Sequence, residues 1–495
     1  MVKLIIDEIN TQIDGLENLS VIDAISSQLS FMVPGAQYSF PYKSGRWDGR
    51  ERLLTKTLKF PTGLLTRVCK ILESFGISYV IEDKINYPRG NVDIPALVPE
   101  PYPYQKEVIK IALDKKRGTI RVATGGGKSI IIAYIAAALD VPTMIYVVSL
   151  DLLTQLRSTI ESVLGTPVGI IGGGKCEIRR VTVCSVWTAG LACGERIAQT
   201  EDDEDLQRDL WEPSTQQRGA IVAAVKSART VILDESQFAA ANSIRMILRN
   251  SAAAAYKYGF SATPWRTAGD DLLLEAAFGD RICDISATEL INQGYLVRPK
   301  IIFRDVPRSG KLKKSWPAVK SNYIINNEER NEMLVKNIRK LVEMGRKPLA
   351  LFREIKHGEI LKEMLGDDIK VRMVNGQMSM EERSGIKGEF EAGDIQVILS
   401  STVYDQGIDL PALDALVLCG GGKSTGKAMQ RIGRVVRTFA KGNKKDAIVV
   451  DTFDQAHFVR EHSATRHGIY TTEPGYLVKV EPAMQAFLKK QQEDL

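Results

Sequence analysis

The chain has 495 residues, 44% of them hydrophobic and 25% charged, with a net charge of +6. That length suggests about three domains, and the composition is that of a soluble globular protein. No apolar run approaches the roughly 20 residues of a membrane helix, Asp7 and Glu8 interrupt what would be the apolar stretch of a signal peptide, and the six cysteines show neither C-x-x-C nor zinc spacing, so a reducing, cytoplasmic setting with no membrane is expected.

Residues 1–98 read as a small α+β domain. Strands are predicted at 3–6, 52–57 and 78–82, and helices at 18–31 and 63–75. The first helix carries Leu19, Ile22, Ile25 and Leu29 at helical spacing. Residues 42–59 hold six basic residues against Asp48 and Glu51, with Tyr42 and Trp47 interleaved. Aromatics can stack on splayed bases while cations hold phosphates, so Arg46, Trp47 and Arg50 are candidate DNA-binding residues. The alternative is a packing tryptophan on a basic hairpin. A linker with Pro88, Gly90, Pro95, Pro99, Pro101 and Pro103 closes the domain.

From Tyr104 strands alternate with helices, the pattern of a parallel sheet covered by helices. Residues 118–122 read as a buried strand and 130–139 as a buried helix. Ala123-Thr124-Gly125-Gly126-Gly127-Lys128-Ser129 joins them. Strand, glycine loop and helix are the setting of a phosphate-binding loop. Glycines let the backbone close round phosphate oxygens, and a helix N-terminus favours an anion. Lys128 then reaches the β- and γ-phosphates, and the Ser129 hydroxyl ligates Mg²⁺. The plain alternative is a glycine turn with a solvated lysine. Two other glycine triplets, at 172–175 and 420–424, read as turns. The first has Cys176 where the hydroxyl belongs, and in the second Thr425-Gly426 is expected to break any helix.

Strands at 144–148, 181–186, 230–233 and 256–260 complete a first α/β domain, assigned to 99–297. Within it lies a polar insert at 195–218. Residues 195–212 carry eight acids against Arg196 and Arg208, a local charge of −6. Ile232-Leu233-Asp234-Glu235 ends an apolar strand, where open α/β sheets bind ligands. Asp234 is the candidate Mg²⁺ holder. Glu235 is the candidate base that orients and deprotonates an attacking water.

A second alternating set, at 348–352, 370–374, 395–399, 415–418 and 447–450, makes a second α/β domain over 298–470, joined near 295–307. Residues 471–495 read as a C-terminal tail. Residues 420–445 hold eight Lys/Arg and no acid, which suits a polyanion as well as it suits a solvated basic face. Arg434 and Arg437, three apart, share a helix face. Two such arginines could clamp a γ-phosphate as arginine fingers, worth roughly 10³–10⁵ in rate. The second domain has no phosphate loop of its own. One ATP served by the loop of the first and the arginines of the second is the simplest arrangement.

In this order the residues resemble the superfamily 2 helicases over roughly 100–455. Tyr104-Gln105 resembles the glutamine motif, 124–129 motif I, 147–155 motif Ia and Ser185-Val186-Trp187-Thr188 motif Ib. Asp234-Glu235-Ser236-Gln237 resembles motif II, Ser261-Ala262-Thr263 motif III, 401–409 motif V and 430–437 motif VI. Gly407-Ile408-Asp409-Leu410-Pro411 and Gln430-Arg431-Ile432-Gly433-Arg434 resemble the UvsW/XPB-type branch. Gly45-Arg46-Trp47-Asp48-Gly49-Arg50, Leu53-Leu54 and Phe60-Pro61-Thr62-Gly63-Leu64-Leu65 look like a UvsW-type N-terminal domain.

The resemblance implies two tandem RecA-like parallel-sheet domains after a small N-terminal α+β domain. It implies ATP and Mg²⁺ as cofactors. Gln105 would read adenine, Thr124, Gly125, Gly126, Gly127, Lys128 and Ser129 would hold phosphates, and Gly407 and Asp409 would also face the nucleotide. Lys128, Asp234, Glu235, Gln430, Arg434 and Arg437 would be catalytic. Gln237, Ser261 and Thr263 would couple hydrolysis to movement. Thr154, Trp187, Thr188 and Thr402 would hold phosphates of one DNA strand without reading bases; each has the alternative of an ordinary capping or core residue.

The implied activity is an ATP-dependent DNA helicase or translocase that remodels branched, forked or single-stranded DNA. Recombination and replication restart would be its setting, in a host cytoplasm if phage-encoded, with phage recombination or replication proteins as partners to expect. An RNA helicase and an ATP-switched DNA-structure binding or annealing protein are the competing readings. Three features depart from the pattern. Gln237 stands where relatives carry His or another acid, and Ser149-Leu150 replaces Pro-Thr in motif Ia. The acidic insert has no counterpart and is expected to compete with DNA phosphates.

Overall fold

The computed structural model describes the chain apart from residues 34, 89–92, 196–208, 210, 239–241, 263–270, 308–314, 377, 402–412, 422–424, 437–445, 457 and 494–495. It divides into two compact units, Met1–Val122 with Gly127–Asp284, and Ala123–Gly126 with Ile285–Leu495.

The first unit begins with a four-stranded sheet in the order Lys59–Pro61, Asn10–Asp14, Val2–Ile6, Tyr79–Asp83. Val2, Leu4 and Ile6 point into its core while Lys3 faces out, as the two-residue period of a strand requires. Helix Leu19–Gln28 starts at Asn18, whose side chain accepts from the amides of Ser20 and Val21. Val21 and Ile25 of this helix, with Val68 and Leu72 of helix Leu65–Ser74, close the same core.

One expected strand differs. The stretch 52–57 is not a single strand: Arg50–Arg52 pairs with Ser30–Met32, and Lys59–Pro61 pairs with Asn10–Asp14. Between them Thr55 closes a turn. Its amide donates to the Lys59 carbonyl at 2.8 Å and its hydroxyl accepts from the Lys59 amide at 2.9 Å. Strand Asn10–Asp14 carries no apolar run, so only its pairing with Val2–Ile6 reveals it.

The larger sheet of this unit has eight strands. Their order is Lys175–Glu177, Gly169–Gly172, Val181–Ser185, Thr143–Val147, Thr230–Asp234, Tyr256–Ser261, Arg117–Val122, Arg281–Ile285. The five pairings from Gly169–Gly172 to Arg117–Val122 are parallel. Thr143–Val147, Val181–Ser185, Thr230–Asp234 and Tyr256–Ser261 are buried throughout, the condition of a parallel sheet covered on both faces.

The N-terminal module is packed on this α/β part. Leu272 and Ala276 of helix Asp271–Phe278 join the module's core. At Gly63 a Cβ would lie 2.1 Å from the Glu275 carbonyl oxygen, so only glycine permits the approach. Arg67 grips Glu275, with Nη2 2.5 Å from Oε2, and Arg245 pairs with Glu51. Arg117 and Lys257 both donate to the Glu8 carbonyl, at 2.7 and 2.9 Å.

The second unit is built on a seven-stranded sheet in the order Val371–Val374, Val397–Ser400, Pro348–Leu351, Ala415–Leu418, Ala447–Asp454, Pro299–Val306, Leu477–Val480. All six pairings are parallel. The stretch expected as a joint near 295–307 therefore contributes a strand. Residues 471–495, expected as a tail, supply the edge strand Leu477–Val480 and helix Pro482–Glu493. The edge strand, Leu-Val-Lys-Val, is short and buried at no position. Thr425 and Gly426 open helix Thr425–Val435 instead of breaking it. In a first turn the amides have no intrahelical partner to lose.

Two buried arginines hold the ends of this sheet. Arg330 is fully buried: Nε lies 2.7 Å from Asp454 Oδ1, Nη1 donates to the Cys419 carbonyl at 2.7 Å and Nη2 to Thr452 Oγ1 at 3.1 Å. Arg466 binds both oxygens of Asp451, at 2.9 and 2.8 Å, and Tyr470 donates to the same carboxylate at 3.0 Å. Beside Arg330, burial and that guanidinium push His357 down to about 3, and its Nε2 lies 2.9 Å from Asn331 Oδ1. Removing one partner of a buried pair strands the other charge. Asp454→Ala should cost about 3–5 kcal/mol, read as a lower denaturation midpoint, and Arg330→Met in the same chain should recover most of it.

Candidate nucleotide site and nucleic-acid surface

The phosphate loop leaves strand Arg117–Val122 and enters helix Lys128–Leu139. Gly125 has φ +89° and Gly127 φ +73°, left-handed values that a side chain would resist. A Cβ on Gly127 would also lie 2.4 Å from Gln105 Nε2. Gln105 is buried beneath the loop. Its Oε1 accepts from the Tyr102 amide at 2.9 Å, capping helix Pro103–Lys115, and its Nε2 donates to the Tyr104 hydroxyl at 3.3 Å. The residue expected to read adenine thus braces the loop as placed here. The Thr124 hydroxyl is buried with no partner among the described residues. Ser129 is the second residue of the helix.

Strand Thr230–Asp234 delivers the acidic pair to Lys128. Lys128 Nζ lies 3.2 Å from Glu235 Oε1 and 3.6 Å from Asp234 Oδ1. Burial alone would lower the ammonium's pKa, but Glu235 and Asp234 outweigh it and hold it above the ordinary lysine value. Burial pushes the Asp234 carboxyl up; Lys128 opposes this and Glu235 adds to it. Glu235 has φ +59°, a left-handed conformation costing of order 1–3 kcal/mol in a residue with a side chain.

A side-chain chain continues from the pair. Gln237 Nε2 donates to Glu235 Oε2 at 2.8 Å, and Ser261 Oγ donates to Gln237 Oε1 at 2.6 Å. Gln237, the departure from the usual motif II, fills the bridging place with an amide that donates at one end and accepts at the other. The residues present suit ATP and Mg²⁺: a loop bare of side chains, a buried lysine kept charged, and a buried acid whose charge a divalent cation would stabilise.

The rest of the expected site is placed unevenly. Gln430 is half-buried on helix Thr425–Val435. Arg434 is on that helix with its side chain outside the described residues, and Thr263, Thr402, Gly407, Asp409 and Arg437 also lie outside them. Arg46 and Arg50 are exposed, and Arg50 Nη1 donates to Ser30 Oγ at 3.1 Å. Trp47 is half-buried, its Nε1 donating to the Arg50 carbonyl at 2.9 Å. Thr154 is exposed.

Trp187 and Thr188 differ from expectation. Helix Val186–Ala192 turns Val186 and Ala189 into the core. Trp187 is buried, donating to the Val148 carbonyl at 2.9 Å. Thr188 is fully buried, donating to Asp209 Oδ2 at 2.6 Å. As placed, neither side chain is open to a nucleic-acid strand.

Three family matches cover most of the chain. Residues 6–82 match the N-terminal domain of the DNA helicase UvsW, 99–266 the res subunit of type III restriction enzymes, and 329–439 the helicase conserved C-terminal domain. Over 458 residues, 86% of each chain, the sequence is 25% identical to the ATP-dependent DNA helicase uvsW of Enterobacteria phage T4.

The chain is a superfamily 2 helicase that resembles phage UvsW.

Its domains make it an ATP-dependent DNA helicase with two RecA-like parallel sheets after an N-terminal α+β domain. The helicase is also 25% identical over 388 residues to the DNA 3'-5' translocase XPB2 of Sulfurisphaera tokodaii, covering 70% of this chain and 80% of that one. The fold is shared with Saccharomyces cerevisiae Dbp5 bound to RNA and ADP BeF3, at 13% identity and TM-score 0.51, over 78% of this chain and 90% of that one.

Two site residues of this helicase carry no sequence signal. Arg121 pairs with Asp284 at 2.8 Å and donates to the Ala262 carbonyl at 3.4 Å, tying the strand before the loop to motif III. Asp209 is the partner of Thr188. Both meet their partners across long sequence separations. The buried acid yields a stability prediction. A carboxyl raised on folding destabilises above its folded pKa, and the penalty vanishes as pH falls through the ordinary carboxylate range. Asp234→Asn should therefore melt above the wild type at pH 7, with the difference closing toward pH 4, while hydrolysis is lost.

Proposed function

We propose that this helicase remodels branched DNA by fork regression, branch migration and strand unwinding, serving recombination and replication restart alongside phage proteins in a host cytoplasm. The observation that carries the reading is the partly buried run Lys128–Glu235–Gln237–Ser261, which joins the nucleotide site to the residues of motif III. The exposed basic segment around Arg46 and Arg50, on a module packed against the first α/β part, supports a DNA role. So does the similarity to the T4 helicase.

ATP supplies the phosphoryl group whose transfer to water releases the free energy. The loop amides, Thr124 and Lys128 would hold its phosphates, Gln105, which braces the loop in the free protein, would meet the adenine, and Ser129 and Asp234 would hold Mg²⁺. Glu235 takes the proton of the attacking water on its carboxylate, whose Oε2 is already held by Gln237. Gln430, Arg434 and Arg437, with Gly407 and Asp409, serve the same nucleotide from the second α/β domain, the arginines stabilising charge on the phosphates. Gln237, Ser261 and Thr263 pass the change on. Thr154 and Thr402 hold backbone phosphates.

The test is ATPase stimulation by single-stranded, duplex, forked and four-way DNA, with RNA as control. Forked and four-way DNA should stimulate most; equal or greater stimulation by RNA overturns the DNA reading. In that assay Arg434→Ala should bind ATP as the wild type does and lose roughly 10³-fold or more in rate; normal DNA-dependent hydrolysis would remove the shared site. Gln237→Ala should keep much of the hydrolysis and lower the strand displaced per ATP on a fork. An unchanged ratio would deny it a coupling role.

A further inference from the structure

Asp209 belongs to the acid-rich stretch 195–212, yet it is buried rather than solvated. Its Oδ2 accepts two hydrogen bonds, from the Gly173 amide at 3.0 Å and from the Thr188 hydroxyl at 2.6 Å. Its Oδ1 accepts from the Trp211 amide at 3.1 Å. Among the described residues no basic side chain pairs with it. Among those residues the carboxylate is held by neutral donors.

The donors form a shaped place. Gly173 lies in the turn between strands Gly169–Gly172 and Lys175–Glu177, with φ +58°. Gly172 has φ +130°, and a Cβ there would lie 2.7 Å from Asp209 Oδ2, 2.8 Å from Ser185 Cβ and 3.0 Å from Leu153 Cδ2. The turn is therefore bare on this side, and an oxygen anion can rest against the backbone. Thr188, buried to the last atom, donates from the other side. Lys175, two residues past Gly173, is exposed on the same hairpin. A phosphodiester oxygen asks for what this carboxylate oxygen receives: a backbone N–H, a hydroxyl, and no neighbouring Cβ.

We propose that the Gly173 amide and the Thr188 hydroxyl form a phosphodiester site, and that the Asp209 carboxylate fills it in the free protein as an internal competitor for a nucleic-acid phosphate. The inference rests on the nucleic-acid function proposed above. It accounts for Thr188, which the motif pattern assigns to the strand and the structure buries: what covers its hydroxyl is the side chain that must leave. If Asp209 holds the site about nine-tenths of the time, the apparent affinity for a strand is about tenfold lower than that of the open site.

The test uses the full chain without nucleotide and a fluorescent single-stranded oligothymidylate, at one fixed salt concentration because phosphate contacts are salt-dependent. Asp209→Ala and Asp209→Asn should each bind about tenfold tighter. The oligonucleotide concentration for half-maximal ATPase should fall by a similar factor, with the rate at saturation unchanged. In a Thr188→Val background the gain from Asp209→Ala should largely disappear. The plainer role is a clip that closes the glycine turn. A clip predicts a lower melting midpoint and equal or weaker binding, and that result overturns the proposal. Asp209→Asn keeps the size and an acceptor, so it carries the test if Asp209→Ala folds poorly. If the wild type binds no nucleic acid, the functional reading fails; if it binds and the variants match it, only this inference fails.

Discussion

The structure of the site depends on one largely enclosed lysine that faces two carboxylates. Lys128 is held charged because Glu235 and Asp234 face it, and it offsets part of what burial costs the Asp234 carboxylate. The glycine loop exists to put that ammonium at a helix start with nothing between it and an anion. The left-handed Glu235 is then intelligible: the backbone turns sharply past Asp234 so that consecutive side chains reach the same cation. Glu235 is also bound by Gln237, and Gln237 by Ser261, so the four side chains form one continuous row.

Burial of charge recurs with the same solution elsewhere. Arg330 and Arg466 sit in the second unit with their guanidinium groups bonded to carboxylates, carbonyls and a hydroxyl. They join helices to the end of strand Ala447–Asp454, and so fix the sheet end next in sequence to the basic stretch. In the first unit Arg67, Arg117, Arg245 and Lys257 perform the corresponding task between the N-terminal module and the α/β part. The module's exposed arginines consequently have a defined place relative to the phosphate loop. A basic segment on a free tether would not.

Much of the fold was legible because the two α/β domains write their strands as apolar runs. Short apolar runs between turn signals mark strands buried on both faces, and their starts and ends were read to within a few residues. The legibility failed where burial is partial. Asn10–Asp14 buries only Thr11 and Ile13, Leu477–Val480 is four residues long and buried at no position, and the turn at Thr55–Leu58 rests on hydrogen bonds of one threonine. Of the site, the loop and the acidic pair could be read because their chemistry is local: glycines, a lysine and a hydroxyl within seven residues, and two acids at a strand end.

The sequence by itself therefore determined the fold class, the phosphate loop, the acidic pair and the helicase family, since each is set by spacing along the chain. The tertiary structure decided partnerships between distant residues. It turned Gln105 into a brace under the loop, made Gln237 a bridge between Glu235 and Ser261, buried Trp187 and Thr188, and brought Asp209 onto Thr188. Hydrogen bonds and ion pairs act over about 3 Å in space, whereas sequence reports only neighbours along the chain; burial, which sets the charge state of Lys128 and Asp234, exists only once the sheets have closed.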